Sequence, residues 1–397
     1  MYRILVLVIF VLLFFTCGNQ SEVESTNSIN TAEPVKDELP APVATRLEHL
    51  LNYPVNAAAF PRSVNPDGTV FTENYDGWTT GFPPGVLWIA YDLSRDERYK
   101  TRAEQWTEAL APQQFSTNDH DVGFQINCSY GEGYRLTKDT AYARVIINAA
   151  KSLSQRYDER VGAIRSWDWN AKEWSYPVII DNMMNLELLY EASELSGDTS
   201  FAHIANRHAL TTMANHFRED NSTYHVVDYD PNTGRARGKV THQGYSDDSA
   251  WARGQAWGLY GYTMAYARMG DERFREQAEK IARFLLTHRR PMDGIPYWDY
   301  DAPDIPNAPR DASAAAVMAS AYYQLATLVT DGSEYREMAD ALLYELGNKY
   351  LVPADEEVPF ILDHSTGHMP NGTEIDVPIN YADYYFMEAL RRRTGDM

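Results

Sequence analysis

Two short segments of the sequence place aspartates where their carboxyl groups could transfer protons. Asp181 follows the apolar residues 178–180 and precedes a stretch rich in Met, Leu and Tyr. An aspartate in that position can cap a helix, but a carboxyl in a partly apolar pocket can also act as an acid, because burial raises its pKa. Asp121 lies in the crowded segment 118–124, which forms either a polar turn or a carboxyl pair in which one member holds a proton.

A third segment, residues 241–257, gathers cationic and aromatic side chains. Arg253 and Trp257 are four residues apart and share a face if the segment is helical, whereas Trp251 would point elsewhere. Arginine beside tryptophan and histidine suits a carboxylate or sulfate ligand. The alternative is a salt-bridged arginine among core tryptophans. In a chain of net charge -21, the grouping of Arg253 with His225 and His242 favours an anion site.

The composition excludes several classes of function. The net charge of -21 over 397 residues argues against binding to nucleic acid and against docking on anionic lipid through a basic patch. Cys17 and Cys128 are the only cysteines, so a disulfide scaffold is excluded. The sequence has no glycine-rich phosphate loop, no His-Glu-x-x-His motif and no Gly-x-Ser-x-Gly motif. We therefore expect no cofactor and no metal.

The first residues of the chain have the pattern of an export signal. Arg3 precedes an apolar run, residues 4–15, that is too short to span a bilayer. Residues 1–16, followed by Cys17, resemble a bacterial lipoprotein signal. We therefore expect lipidation at Cys17, with simple cleavage as the alternative. Residues 17–43 are polar and acidic and predict a flexible tether. The protein is therefore expected to be exported and lipid-anchored in the cell envelope, in the periplasm or at the outer membrane.

The body of the chain repeats one type of helical corner. An apolar helix ends, an aspartate follows as an N-cap, and three or four residues later an aromatic side chain begins the next helix. Six such corners predict an all-α fold, a closed (α/α)6 barrel of six helical hairpins, spanning residues 44–397 as one domain. The best strand signal is residues 223–228, followed by a turn at 230–234. The corners lie around Asp96, Asp139, Asp198, Asp271, Asp331 and Asp396.

The order and spacing of several motifs resemble glycoside hydrolase family 88, the unsaturated glucuronyl hydrolases. The resemblance covers nearly the whole chain after the tether and agrees with the number of predicted hairpins, because the family is similar to other six-hairpin barrels. The motifs are Trp78-Thr-Thr-Gly-Phe, His120-Asp-Val-Gly-Phe, Asp181-Asn-Met-Met-Asn-Leu, His242-Gln-Gly-Tyr, Trp251-Ala-Arg-Gly-Gln-Ala-Trp-Gly, His364-Ser-Thr-Gly-His and Asn380-Tyr-Ala-Asp-Tyr-Tyr.

The resemblance implies hydration of a double bond and not attack at an anomeric carbon. The substrate would be an oligosaccharide whose non-reducing end is the 4,5-unsaturated uronic acid left by a polysaccharide lyase, of glycosaminoglycan or ulvan type. Asp181 would protonate C4 and then, as a carboxylate, activate the water that adds at C5. Asp121 would remain ionised, stabilise positive charge in the ring and hold substrate hydroxyls.

The resemblance also implies how the substrate is held. Arg253 and His225 would bind its carboxylate, and His242 and Gln243 would contact the sugar ring. The remaining side chains expected around the cleft are His120 beside Asp121 and three stacking walls, Trp78, Trp251 and Trp257.

Three alternatives remain open from the sequence. The first is an unsaturated rhamnogalacturonyl hydrolase of the same fold. The second is a conventional inverting glycosidase on the same barrel. The third is a non-catalytic, lipid-anchored glycan-binding protein that keeps the barrel without the reaction.

Overall fold

Inner and outer α-helices make up most of this computed structural model, which describes residues 39–288 and 291–395. The α-helices are α1 (Ala41–Asn52), α2 (Phe82–Ser94), α3 (Glu97–Ala109), α4 (Val122–Ile126), α5 (Glu132–Thr137), α6 (Thr140–Ser154), α7 (Asn182–Ser196), α8 (Thr199–Asn215), α9 (Ala252–Met269), α10 (Glu272–Thr287), α11 (Ala312–Leu328), α12 (Ser333–Lys349) and α13 (Asn380–Arg393). A π-helical turn, Asn127–Gly131, joins α4 to α5, and short 3-10 helices cover Ala111–Phe115 and Met369–Asn371.

Burial separates the inner helices from the outer ones. Every residue of α9 from 252 to 265 is buried, as is every residue of α11 from 312 to 323. A helix buried on all sides must be surrounded by protein. By contrast, α10 buries one face, formed by Phe274, Ala278, Ile281 and Leu285 at helical spacing, and exposes the other.

The inner helices form a closed ring. In order around the ring, neighbours in contact are α2, the α4–α5 segment, α7, α9, α11 and α13, and α13 packs back against α2. Outer helices pack on the inner partners that they follow or precede in the chain, as α3 does on α2, α8 on α7, α10 on α9 and α12 on α11. The predicted (α/α)6 barrel is confirmed.

The repeated corner is built as its sequence predicts. In four copies the aspartate side chain accepts a hydrogen bond from the backbone N–H two residues later, which caps the outer helix. These bonds are 2.9 Å at Asp96, 2.7 Å at Asp139, 2.9 Å at Asp198 and 3.0 Å at Asp271. In the fifth copy, Asp331 accepts a longer bond of 3.4 Å from the Ser333 backbone N–H and a second bond of 2.8 Å from the Ser333 hydroxyl.

Short antiparallel strands occupy several loops that lead into the inner helices. The sheets are β1 (Phe60–Val64) with β2 (Val70–Glu73), β3 (Tyr157–Asp158) with β4 (Ala163–Ile164), β5 (Pro177–Ile179) with β6 (Val226–Tyr229) and β7 (Ala236–Val240), and β8 (Ser365–His368) with β9 (Thr373–Val377). The predicted strand at 223–228 overlaps β6. The other strands are mostly two to five residues long, too short for an alternating pattern to mark them.

The predicted signal segment 1–16, Cys17 and the tether up to residue 38 lie outside the described residues. Residues 41–43, placed in the tether by the sequence, begin α1, and Val43 is buried. Within 39–288 and 291–395, none of the helices combines the length and apolar character needed to cross a bilayer.

Candidate active site

A cleft of about 300 Å³ opens where the inner helices begin. Its walls come from the loops before α2, α4, α7, α9 and α13, so their N-terminal ends face it and favour negative charge. Of the ten predicted site residues, seven line this cleft: Trp78, His120, Asp121, Asp181, His242, Gln243 and Arg253.

Close packing of α4 against α7 brings the two aspartates to the same cleft. A side chain at Gly123 would place its Cβ 2.4 Å from Asn185 Oδ1, so only glycine permits this approach. Asn185 Oδ1 accepts a hydrogen bond from the backbone N–H of Phe124 at 2.7 Å, and its Nδ2 donates toward Asp121 Oδ1 at 3.4 Å. The starts of α4 and α7 are thereby joined, directly behind Asp121 and Asp181.

Asp181 occupies the N-cap position of α7 without acting as a cap. Its side chain accepts no capping hydrogen bond, unlike the four corner aspartates, and its Oδ2 atom is buried without a hydrogen-bond partner. A buried carboxylate oxygen with no donor costs free energy. The capping interpretation of Asp181 therefore fails, and the side chain is available for chemistry.

Burial gives Asp181 the protonation behaviour of an acid at neutral pH. Loss of solvent raises the pKa of Asp181 to about 7, although the Arg253 charge and the Trp257 indole N–H oppose the rise. A carboxyl with such a pKa is protonated in about half of the molecules at neutrality, and it can both give up and regain a proton.

His225 presents an N–H group to Asp181. Its Nδ1 accepts hydrogen bonds from the backbone N–H groups of His242 at 3.0 Å and Gln243 at 3.1 Å. A backbone N–H can only donate, so Nδ1 carries a lone pair and the proton sits on Nε2. That Nε2 lies 3.6 Å from Asp181 Oδ2. Burial, reinforced by nearby cationic groups, also keeps the pKa of His225 well below its usual value. His225 is thus a neutral donor beside Asp181, and it lacks the positive charge expected of a partner for the substrate carboxylate.

The local polar turn is formed by the side chain of Asp119 and not by that of Asp121. Asp119 Oδ1 accepts from the backbone N–H of Asp121 at 2.9 Å and so forms the polar turn that the sequence suggested. The pKa of Asp121 is raised well above its usual value by burial, and the charges of Asp119 and Asp181 raise it further. Both causes disfavour a negative charge on Asp121. The ionised state implied by the family resemblance stays a prediction.

Arg253 brings positive charge to the cleft although part of its guanidinium is already bound. Its Nη1 donates to Asp311 Oδ2 at 2.7 Å and to the Thr366 carbonyl at 2.6 Å, and its Nη2 donates to the Gly367 carbonyl at 2.5 Å. These bonds fix the group against β8. The anion site predicted around Arg253 is therefore rigid, and its charge is shared with the buried Asp311.

Only one of the three tryptophans predicted to form stacking walls faces the cleft. Trp78 lines the cleft, but Trp251 and Trp257 are 3% and 1% exposed and offer no face to a sugar. The Trp251 ring instead packs 4.5 Å from that of His225, and the Arg253 guanidinium lies 4.7 Å from its centroid. Trp251 therefore positions its two neighbours, while Trp257 contributes its indole N–H near Asp181.

The aromatic wall that the sequence analysis missed comes from the loop between β4 and β5. Trp169 stacks on Trp167 with ring centroids 4.8 Å apart and an interplanar angle of 18°. Trp167, Trp169 and Trp174 surround His242 at centroid distances of 5.9, 5.1 and 5.7 Å. His368 Nε2 lies 3.2 Å from His242 Nε2. The presence of three tryptophans within eight residues was the sequence signal that could have revealed this wall.

The described ranges contain no group of three or more His, Cys, Asp or Glu side chains arranged to hold a metal ion.

Comparison with known proteins agrees with this architecture. The family model of Glycosyl Hydrolase Family 88 matches residues 58–278. An unsaturated glucuronyl hydrolase from Formosa agariphila is 47% identical over 353 residues, which cover 88% of each chain. The crystal structure of an unsaturated glucuronyl hydrolase specific for heparin has a TM-score of 0.86 and 47% identity, covering 89% of this chain and 95% of that one. A Streptococcus agalactiae unsaturated glucuronyl hydrolase mutant complexed with dGlcA-GalNAc6S has a TM-score of 0.75 and 28% identity, covering 90% and 91%. The resemblance seen in the sequence is confirmed: the chain belongs to Glycosyl Hydrolase Family 88 and is a glycoside hydrolase.

Proposed function

We propose that this protein is an unsaturated glucuronyl hydrolase that removes a 4,5-unsaturated uronic acid from the non-reducing end of lyase-generated oligosaccharides. The observation that carries the proposal is Asp181, whose carboxyl lies at a helix start without capping it, has one oxygen buried without a hydrogen-bond donor, and has its pKa raised by burial to about 7. The names of the relatives agree with this substrate class.

In the proposed reaction, Asp181 acts twice. Its proton is transferred to C4 of the double bond, and the positive charge that develops at C5 is shared with the ring oxygen. Water then adds at C5 while the Asp181 carboxylate takes up one of its protons. The hemiketal formed opens and releases the remaining sugar. His225 supports the charged stage, because its Nε2–H group lies 3.6 Å from Oδ2 of the carboxylate that proton transfer creates.

The charges around the cleft suit an anionic sugar in an acidic protein. Arg253 supplies a positive charge that acts on Asp181, and the N-terminal ends of the inner helices face the same space. We assign the substrate carboxylate to Arg253 together with these helix ends. His225 contributes at most one neutral hydrogen bond.

The activity should decline in alkaline solution. Because Asp181 must be protonated to act as an acid and its pKa is about 7, kcat/KM should fall about tenfold per pH unit above that value. The substrate carboxylate adds negative charge beside Asp181, so the corresponding limb in kcat should lie at higher pH. Initial rates measured on both sides of neutrality test this; a limb near pH 4 would contradict it.

We assign Trp169 to the leaving sugar. Its ring is 50% exposed, lines the cleft and is supported from behind by Trp167. Stacking of a sugar on an aromatic ring contributes about 1–3 kcal/mol by analogy with other planar ligands, so Trp169→Ala should raise KM about tenfold with a smaller change in kcat. Tyr344→Ala, an exposed aromatic on α12, is the matched control and should leave KM unchanged.

The proposed function is tested by mixing the purified protein with lyase-made unsaturated disaccharides. The panel contains heparin, chondroitin, hyaluronan and ulvan products, and the ultraviolet absorbance of the conjugated double bond is followed. Loss of absorbance on any member supports hydration and identifies the parent polymer. Persistent absorbance on every member, together with cleavage of saturated glycosides, would establish a conventional glycosidase and refute the proposal.

We also propose that the enzyme is exported and anchored to the cell envelope through a lipid on Cys17. The support is the sequence of residues 1–17 alone. Cys17→Ala should move the protein from the membrane fraction to the soluble fraction without changing its activity. An unchanged membrane association would refute the anchor.

A further inference from the structure

The inner helix α11 begins differently from the inner helices whose starts face the cleft. Among the described residues, α2, α4, α7, α9 and α13 have no side chain that caps their first turn. The start of α11 is capped by Asp311, whose Oδ1 accepts from the backbone N–H groups of Ser313 at 3.1 Å and Ala314 at 3.4 Å and from the Ser313 hydroxyl at 2.5 Å. Asp311 is completely buried and does not line the cleft, so it cannot touch a substrate bound there.

The second oxygen of Asp311 binds Arg253. Arg253 Nη1 donates to Asp311 Oδ2 at 2.7 Å, and the two side chains are 1% and 0% exposed. The carbonyl of Thr366 accepts from Nη1 at 2.6 Å, and that of Gly367 accepts from Nη2 at 2.5 Å. A guanidinium has five N–H groups, and these bonds use three of them. The two groups that remain are Nε–H and one N–H of Nη2.

The faces of the guanidinium are also in contact with protein. Arg253 Cζ lies 4.7 Å from the ring centroid of Trp251 and 5.3 Å from that of Tyr381. Arg253 nevertheless lines the cleft. Because both N–H groups of Nη1 are bound, the donors left for a ligand are Nε–H and the second N–H of Nη2. Two neighbouring N–H groups of a guanidinium bind the two oxygens of a carboxylate as a fork.

We propose that Asp311 is a positioning residue that orients Arg253 so that its Nε–H and Nη2–H groups bind the carboxylate of the unsaturated uronic acid. This inference deepens the proposed function, on which it rests for the identity of the ligand. One oxygen of Asp311 caps α11 and the other directs Arg253, so the substrate-binding group is tied to the start of a buried helix. The positive end of α11 stabilises the negative charge of Asp311 at that place.

Asp311→Asn separates the two tasks of this side chain. Asparagine caps helices as well as aspartate does. Three donors from Ser313 and Ala314 converge on the cap, so the amide oxygen should take the place of Oδ1. The amide nitrogen then faces Arg253 Nη1, and two donors cannot form a hydrogen bond. Arg253 should therefore lose its orientation while α11 keeps its cap.

The kinetic test compares a substrate with its methyl ester. The substrate is the unsaturated disaccharide of the panel whose absorbance falls fastest, and the ester neutralises the carboxylate of its unsaturated ring. In the unaltered enzyme the ester should have a KM about tenfold or more above that of the acid, because hydrogen bonds to a charged group are lost. In Asp311→Asn the KM of the acid should rise toward that of the ester, with a smaller change in kcat.

A matched substitution separates this effect from the loss of a cap. Asp139→Asn replaces the cap of the outer helix α6 and should leave the ratio of ester KM to acid KM unchanged. Asp311→Ser, which can cap α11 but lacks the second oxygen, replaces Asp311→Asn if that variant does not fold. An unchanged ratio in a folded Asp311 variant would overturn the role of Asp311.

A nitrogen NMR spectrum of the ligand-free protein labelled with ¹⁵N-arginine tests the orientation without turnover. A guanidinium bound by three acceptors should not rotate, so Arg253 should show separate signals for the hydrogens of Nη1 and Nη2, assigned by their loss in Arg253→Lys. In Asp311→Asn these signals should merge. Averaged signals in the unaltered protein would overturn the proposal. The spectrum needs no substrate, so it decides whether Arg253 is fixed even if no member of the panel is hydrolysed.

Discussion

Asp181→Asn should abolish turnover of unsaturated disaccharides while leaving their binding intact. An amide of the same shape cannot release a proton to C4 and cannot accept one from water, so both proposed steps fail together. Positioned proton transfer contributes about 10²–10⁴-fold to rate, and losing it in both steps should lower kcat by roughly 10³-fold or more. The measurement is kcat from ultraviolet absorbance, with calorimetric titration of the same disaccharide for binding.

A second carboxyl-to-amide change separates this effect from general damage. Asp198→Asn replaces an exposed N-cap of α8, where asparagine caps as well as aspartate does. Its kcat should equal that of the unaltered enzyme. If Asp181→Asn retains substantial turnover, another group supplies the proton and the mechanism is wrong. If it loses binding and turnover equally, Asp181 serves to hold the substrate.

The sequence was informative wherever one residue determined local geometry. Asp96, Asp139, Asp198 and Asp271 could be recognised as helix caps because capping needs only an aspartate and the next two residues. Their recurrence, at uneven intervals, predicted the hairpins and hence the barrel. Asp181 looked the same in sequence, and only the three-dimensional structure shows that its side chain lines the cleft and accepts no hydrogen bond from the helix N–H groups.

The roles of the tryptophans could not be predicted in the same way. Trp251 and Trp257 belong to motifs of the family, but whether a ring faces the cleft or the core depends on helices far away in the chain. Trp257, for example, packs 5.5 Å from Phe124 and 5.6 Å from Tyr385. Trp169 belongs to an irregular loop without periodicity, so its exposure had no signature beyond the local density of tryptophan.

The tautomers of the histidines were likewise invisible in the sequence. His225 is neutral because two backbone N–H groups, those of His242 and Gln243, converge on its Nδ1. That convergence depends on the turn after β7, seventeen or eighteen residues away. A histidine near an arginine and a proposed carboxylate ligand invited a cationic role, and the backbone excludes it.

Of the proposed substitutions, Arg391→Met should cause the largest decrease in the free energy of unfolding. Arg391 in α13 donates to Glu132 in α5 through Nη1 at 2.6 Å and Nη2 at 2.9 Å, and both side chains are buried. Burial alone would raise the pKa of Glu132, but the charges of Arg391 and Arg135 outweigh it and hold the pKa at about 2. Removing the partner of a buried ion pair costs about 3–5 kcal/mol, because the remaining charge is uncompensated. We expect the lower end of that range, since Arg135 remains bound to Glu132 at 3.1 Å. Urea unfolding at neutral pH measures the loss.

The pH dependence and a second substitution identify the cause of this loss. Glu132 contributes stability above its unfolded pKa, and the contribution is lost as pH falls through the folded pKa of about 2. In Arg391→Met the pKa of Glu132 must rise, so the difference in unfolding free energy from the unaltered protein should shrink as the pH is lowered toward about 4. Glu132→Gln added to Arg391→Met should restore part of the stability at neutral pH, because it removes the unpaired charge. Arg273→Met breaks an exposed ion pair with Asp271 at the start of α10 and should leave the free energy of unfolding nearly unchanged. Glu132 and Arg391 are 259 residues apart, so this pair joins the second hairpin to the last inner helix.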